Sequence, residues 1–425
     1  MHRKVSRMYI CLVLCLLFTI GATVSLAAPI EVDIWGNANH LEALKPIIER
    51  FNSEQQQIVV TIPGKTESHT NIMTAAAGGV LPAIIETAGT ITPLYAPLGL
   101  IVPLDDFLKK MGGDYIRDFL PVGMEGNIYE GKVFSLPAFL QIEGGYYNKE
   151  ILQKYGLAPP KPGWTWSDLE QLAKQARQYG PDGSKTVHGI IANGPINFDV
   201  VLLGQSGAKL VDDKYRVLVN SEPVQSTYRW ILDWRANDLL AYRRGIDDIA
   251  DDEYAYRAAF VMDASYRQFF WDSVEAPMVT APPLRRDANS LPSTVFTNRG
   301  WAIMKTTPEK EAAALVVVQY LLRPEIVAEW AIRLNNPPST YSAINLPAYR
   351  NHYRDNVNMN IWINSYTIIN NSGFPWPSAF EASNIRSAYE AETIALLKGQ
   401  KTLPQYTEDL SVRIAAMITD FLAGR

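Results

Sequence analysis

The chain has 425 residues, of which 47% are hydrophobic and 20% charged, a balance that excludes a disordered or fibrous protein. That length leaves apolar mass for roughly two or three domains. The formal charge of −5 argues against a nucleic-acid-binding surface.

The first 27 residues follow the order of a secretory signal peptide. Arg3, Lys4 and Arg7 precede an apolar run over 8–20, and small residues lead to Ser25-Leu26-Ala27. The run is short for a stable membrane span. Cleavage is expected after Ala27, because cleavage after Ala28 would leave Pro29 at the new terminus; an uncleaved anchor is the alternative. Both cysteines, Cys11 and Cys15, lie in this segment. Cys15 is preceded by Leu12-Val13-Leu14 inside the apolar run, so no lipid-bearing cysteine is expected. Loss of the segment's three basic residues takes the charge from −5 to −8 and leaves no cysteine. A disulfide, a thiolate metal site and a thiol nucleophile are then all excluded. A thiol-free exported chain fits a bacterial periplasm.

Residues 30–35 alternate apolar and acidic, the pattern of a strand. Residues 39–51 place Leu41, Leu44, Ile47, Ile48 and Phe51 on one helical face, with Pro46 as a local conflict. A second strand is predicted over 58–62, a small-residue helix over 72–77 ending at Gly78-Gly79, and a third strand over 82–86. This alternation predicts parallel βαβ units, whose ligands lie beyond the carboxyl ends of the strands. Thr165-Trp166-Ser167-Asp168 has the form of a capping box opening a helix that ends at Gly180. Further helices are predicted over 222–234, 308–322, 383–397 and 405–422, and a strand over 295–304. The acidic run over 247–253 lacks metal-ligand spacing and reads as a solvated face or helix start.

Signals for catalysis are missing. Five histidines, His2, His40, His69, His188 and His352, form no pair at metal-ligand spacing. Gly204-Gln205-Ser206-Gly207 is followed by Ala208 where a nucleophile elbow needs glycine, and reads as a turn. No phosphate-binding glycine loop or zinc-protease helix occurs. The sequence predicts no metal, no cofactor and no enzymatic activity. A secreted glycoside hydrolase would need two facing carboxylates, and nothing in the chain singles out such a pair.

Several strings in fixed order carry a resemblance. They are Ala75-Ala76-Ala77-Gly78-Gly79-Val80-Leu81-Pro82, Gly99-Leu100-Ile101-Val102-Pro103-Leu104-Asp105-Asp106-Phe107 and Gly131-Lys132-Val133-Phe134-Ser135-Leu136-Pro137. Tyr146-Tyr147-Asn148-Lys149-Glu150, Tyr155-Gly156-Leu157 and Trp164-Thr165-Trp166-Ser167-Asp168-Leu169 follow. Asn298-Arg299-Gly300-Trp301-Ala302-Ile303 and Lys398-Gly399-Gln400-Lys401-Thr402 close the series. Together they resemble the family 1 extracellular solute-binding proteins of ABC transporters, which include maltose-, trehalose- and glycerol-phosphate-binding proteins. Ala83 departs from the family's usual Asp.

The resemblance implies an α/β fold of the periplasmic-binding-protein type II. Two α/β lobes would be joined by hinge crossovers near 138–141, 287–293 and 338–341, with a ligand cleft between them. One lobe would comprise 28–137 and 293–337, the other 141–287 and 341–425. It further implies a monomer that closes on a small solute and delivers it to membrane permease subunits.

Sugar sites combine aromatic platforms with carboxylate, amide and guanidinium groups. On the family pattern Gly300 and Trp301 are the leading contacts, Trp301 stacking on the solute; a core tryptophan is the alternative. Trp35 is either cleft-directed or core. Asn39 and His40 stand where sugar binders often carry Asn-Glu, and Gln141 lies at the first crossover. Glu86 and Thr87 follow the third strand, with Ala88 replacing the family's Asp or Tyr. Asp263 and Tyr266 match a cleft-lining segment. Trp376 and Arg386 belong to the late region that closes over ligand in the family; loop packing and a surface salt bridge are the alternative. Arg386 suits a phosphorylated ligand. However, the glycerol-phosphate binders' paired-tryptophan loop is absent, Ala192-Asn193-Gly194-Pro195-Ile196-Asn197 standing there, which favours a neutral sugar.

Overall fold

The computed structural model describes residues 28–423, without 125, 213–214, 291, 357, 362–369 and 372–381. Strand β1 (Ile30–Trp35) buries Val32 and Ile34 on one face, as its alternation predicts. Helix α1 (Ala38–Glu54) is capped by the Asn37 side chain, which accepts from the Asn39 and His40 amides. Pro46 lies inside it without breaking it. Both Pro46 and Glu42, whose carbonyl loses its partner, are exposed, so water can take the place of the missing bond.

Strand β2 (Ile58–Thr61), α2 (His69–Ala77) and β3 (Ile84–Ala88) complete two parallel βαβ units, β1 pairing with both strands. The third strand starts two residues later than its sequence suggests. The Ala83 amide donates to the Asp33 side chain at 3.1 Å instead of joining the ladder. Glu86 therefore lies within the strand.

Strand β4 (Ser135–Asn148) is followed by α3 (Trp166–Ala176), whose Thr165–Asp168 capping box makes both reciprocal bonds. Then come β5 (Lys185–Ala192), α4 (Pro195–Gln205), α5 (Glu222–Ala236), β6 (Leu240–Tyr242), β7 (Ala258–Ala264) and β8 (Phe296–Ile303). Helices α6 (Pro308–Leu321), α7 (Pro324–Leu334), α8 (Ala382–Leu397) and α9 (Leu403–Ala423) finish the described chain. The acidic run opens a short helix, Asp251–Tyr256, with three acids in its first turn, where they complement the helix dipole. The Gly204–Gly207 stretch ends α4 in a turn, Gly207 taking a φ of 67°.

One ten-stranded sheet contains the order β2-β1-β3-β8-β4-β7-β5, with β6 beside β5. Strand β4 belongs to both halves of the two-lobed fold. Its residues up to Ile142 pair with β8, and from Glu143 onward they pair with β7. The pairing also fixes directions. β8 is antiparallel to both β3 and β4, so β1, β3 and β4 run the same way. β7 is antiparallel to β4, and β5 and β6 are parallel to β7. The carboxyl ends of β1 and β3 and those of β5, β6 and β7 therefore converge from opposite sides on the middle of β4. Open α/β sheets bind ligands in such places.

Two large cores hold this frame. One packs β1–β3 and β8 against α1, α6 and α7, through Leu44, Ile48, Ile84, Val317 and Trp330. The other packs β5 and β6 against α3, α4, α5, α8 and α9, through Trp166, Phe198, Trp234, Tyr389 and Ile414. Among the described residues no helix is long and apolar enough to cross a membrane.

Candidate functional site

On the first side of the convergence, a short turn after β1 brings Gly36 against β3. A Cβ on Gly36 would lie 2.7 Å from the Glu86 Cβ, so glycine is what allows the turn to approach. Glu86 is fully buried. Its Oε1 accepts from Arg299 Nε at 2.8 Å and is 3.2 Å from His40 Nδ1. Its Oε2 accepts from Arg299 Nη2 at 2.6 Å and from the Asn37 amide at 3.2 Å. Arg299 Nη2 also donates to Glu67 at 2.8 Å. Burial alone would raise the Glu86 pKa. The Arg299 charge and the His40 contact outweigh it and hold the carboxylate at about 2. Arg299 is held above its ordinary value: burial lowers it, and Glu86 and Glu67 more than compensate.

On the second side, Asp263 ends β7 fully buried. It accepts from Arg267 Nε at 2.9 Å, Asn193 Nδ2 at 3.3 Å, the Ala264 amide at 2.8 Å and the Tyr254 hydroxyl. Asn193 follows β5, and its oxygen accepts from Arg243 Nη1 at 3.3 Å. Arg243 follows β6, pairs with Asp251 and lies 4.8 Å above the Tyr254 ring. Tyr266 is exposed, and burial of its hydroxyl, with Asp263 and Glu143 near it, pushes that group's pKa up.

The structure thus brings His40 and Glu86 together in one cluster, and Asp263 and Tyr266 in the other. Asn39 is exposed on the first turn of α1, and Gln141 is half-buried just before the pairing changes on β4. The other predicted contacts fall elsewhere. Trp301 is 0% exposed and stacks on Trp330, with centroids 4.8 Å apart and planes at 18°. It shares a sheet face with Glu86, its pairing partner, and that face is covered by α7, so it presents no surface to a solute. Gly300 serves strand packing. A Cβ there would lie 2.0 Å from the Leu136 carbonyl oxygen, beside a bulge at Arg299/Gly300. Thr87 is buried, its hydroxyl 3.4 Å from the Ala88 carbonyl.

Trp35 is core on the other sheet face, with Ile72, Ile85 and Tyr95. It donates to Asp33 at 3.1 Å, and Lys65 lies 4.7 Å over its ring. Arg386 is exposed on α8. Trp376 lies outside the described residues. The sequence reading missed Glu67, Asn193, Arg243, Arg267 and Arg299. Arg299 stands beside the favoured Gly300-Trp301 pair, and strand alternation there could have shown that neighbouring residues face opposite ways. Among the described residues no group of three or more potential metal ligands exists.

A model of the bacterial extracellular solute-binding proteins matches residues 46–356. The chain is 24% identical to the sn-glycerol-3-phosphate-binding periplasmic protein of Yersinia pseudotuberculosis, over 97% of this chain and 96% of that protein. It is equally similar to the protein of the same name from Escherichia coli O1:K1, over 86% of each. Among solved structures, the sugar-binding protein MalE of Xanthomonas citri superposes with a TM-score of 0.77 at 15% identity, covering 92% of this chain and 98% of that one. The cyclic alpha-maltosyl-1,6-maltose binding protein of Arthrobacter globiformis does so at 0.74 and 16%, covering 92% and 100%. The fold is that of the type II periplasmic binding proteins. The chain belongs to the bacterial extracellular solute-binding proteins, as the solute-binding component of an ABC importer.

Proposed function

We propose that the protein captures a sugar or short oligosaccharide in a cleft between its lobes and hands it to a membrane permease. In this reading residues 28–137 with 293–337 form one lobe, and 141–287 with 341–425 the other. The protein works as a monomer in the periplasm after loss of residues 1–27. The observation that carries the reading is the convergence on β4 of two polar clusters, one from each side. His40, Glu67 and Arg299 stand on one side, Asn193, Arg243 and Tyr266 on the other. Amide, carboxylate and guanidinium groups beside an exposed aromatic ring are what a hydroxylated solute requires. A solute touching both clusters would favour the closed state by its extra contacts there.

A second reading, capture of a glycerol phosphate, is favoured by the near full-length relatives that carry that name. The test is a thermal-shift screen of the mature protein with mono- and disaccharides and glycerol phosphates, joined to small-angle scattering. A sugar should raise the melting temperature and reduce the radius of gyration. If glycerol phosphates alone do so, the second reading replaces the first. Glycosides should be bound without turnover.

A further inference from the structure

Helix α5 turns Val224, Tyr228, Ile231 and Trp234 into the second core. Ser226, Arg229, Trp230 and Asp233 recur at helical spacing and share its opposite face. Glu170 on α3 stands across from them, and these five residues line a groove of about 320 Å³. That volume is at the lower end for a small-molecule site and accommodates a single sugar ring. Helix α5 leads directly into the amino end of β6, so its last two turns lie at the opposite end of the sheet from the convergence on β4.

Trp230 is fixed in place, yet part of its chemistry is unspent. Its ring stands nearly perpendicular to those of Trp166 and Trp234, with centroids 5.7 Å from each. Those two rings are fully buried, and their nitrogens donate to Gln205 at 2.6 Å and to Glu170 at 3.1 Å. Trp230 is half-buried, and its nitrogen makes no hydrogen bond among the described residues. The Asp233 carboxylate accepts from the Asn237 side chain at 3.1 Å and has no cationic partner among the described residues. Arg229 gives Nη2 to Glu222, which leaves Nε and Nη1. Ser226 donates to the Pro223 carbonyl at 3.2 Å and keeps its capacity to accept. Glu170 is occupied by Trp234 and Lys174.

We propose that this groove is a second saccharide site, separate from the cleft, which takes one neutral pyranose ring. The indole offers a platform for the apolar face of the ring, while Asp233 accepts from one hydroxyl and Arg229 donates to its neighbour. A carboxylate and a guanidinium side by side suit such a pair of hydroxyls. A cation would meet Arg229 and an anion would meet Asp233, so neither gains from the groove as a neutral ligand does.

The test uses the mature full chain. Trp230→Phe identifies the Trp230 indole signal in a nitrogen–proton correlation spectrum, and glucose, mannose, galactose and maltose are then titrated up to about 50 mM. At least one sugar should move that signal saturably, with a dissociation constant in the millimolar range. Arg229 and Asp233 are exposed, so Arg229→Ala and Asp233→Ala should keep the parent melting temperature and weaken this binding about fivefold or more. Tyr266→Ala, at the cleft, should leave it unchanged. No saturable movement with any of these sugars, or an undiminished affinity in Arg229→Ala and Asp233→Ala, overturns the proposal. Loss of the response in Tyr266→Ala also overturns it, because the signal would then report the cleft. A response to tetramethylammonium in place of the sugars makes the groove a cation site and overturns the saccharide. Scattering keeps the two sites apart: a sugar in the groove leaves the radius of gyration unchanged, so failure of the groove leaves the cleft reading standing.

Discussion

Glu86 shows how far a single side chain can depart from its ordinary chemistry. Buried carboxylates are costly unless paired, and here one carboxylate meets a bidentate guanidinium, an imidazole and a backbone amide. Replacing it, as in Glu86→Gln, leaves Arg299 buried with only Glu67 to balance it. A loss of about 3 kcal/mol in urea unfolding is expected. The pH dependence follows from the depressed pKa, about 2 against 4.5 for an ordinary glutamate. The stabilisation is complete above 4.5 and is lost as pH falls toward 2, a total of about 3 kcal/mol. Acid unfolding of the parent should therefore be steeper between pH 4.5 and 2 than that of Glu86→Gln. Equal slopes would show that Glu86 does not carry the transition. From sequence Glu86 was legible as a polar residue near a strand end. Its partner Arg299 was not, because 213 positions separate the two and only the pairing of β3 with β8 joins them.

At the scale of elements, local signals were strong where the physics is local. The Thr165–Asp168 capping box joins residues three apart and forms as its sequence suggests. Thr165→Ala should cost about 1 kcal/mol, measurable by thermal denaturation. Trp301 teaches the opposite lesson. Its string marks the returning strand β8 correctly, but which face of a strand meets solute depends on the helix packed against it, and α7 covers this one with Trp330. Trp301→Ala should lose about 3–5 kcal/mol of stability, the cost of emptying an aromatic site in a core. Solute affinity, measured at a temperature where the variant stays folded, should remain within about twofold. A large affinity loss with unchanged stability would return Trp301 to the site. Strand β4 escaped the reading of periodicity because most of it is buried on both faces, so no alternation marks it.

At the scale of the molecule, the two halves respond to opposite changes of pH. Glu86 makes one half acid-sensitive. In the other half Asp199 on α4 is fully buried, accepts from the Tyr242 hydroxyl at 2.6 Å, and its Oδ2 has no hydrogen-bond partner among the described residues. Burial raises its pKa from 3.8 to about 8, against the lowering effects of Tyr242 and Arg235. The stability of its protonated form is complete below 3.8 and is lost as pH rises toward 8. Asp199→Asn should therefore lose less stability than the parent between pH 6 and 9, and have the higher melting temperature at pH 9 by calorimetry. A parallel decline in both proteins would refute this. Composition, periodicity and ordered motifs determined the α/β class, the first βαβ units, the helix starts and the family, because each depends on neighbours along the chain or on strings that keep their order. The tertiary structure alone decided which charged groups meet. Strand direction and register bring the carboxyl ends of five strands onto the middle of β4, and those contacts span distances in sequence that no local pattern records.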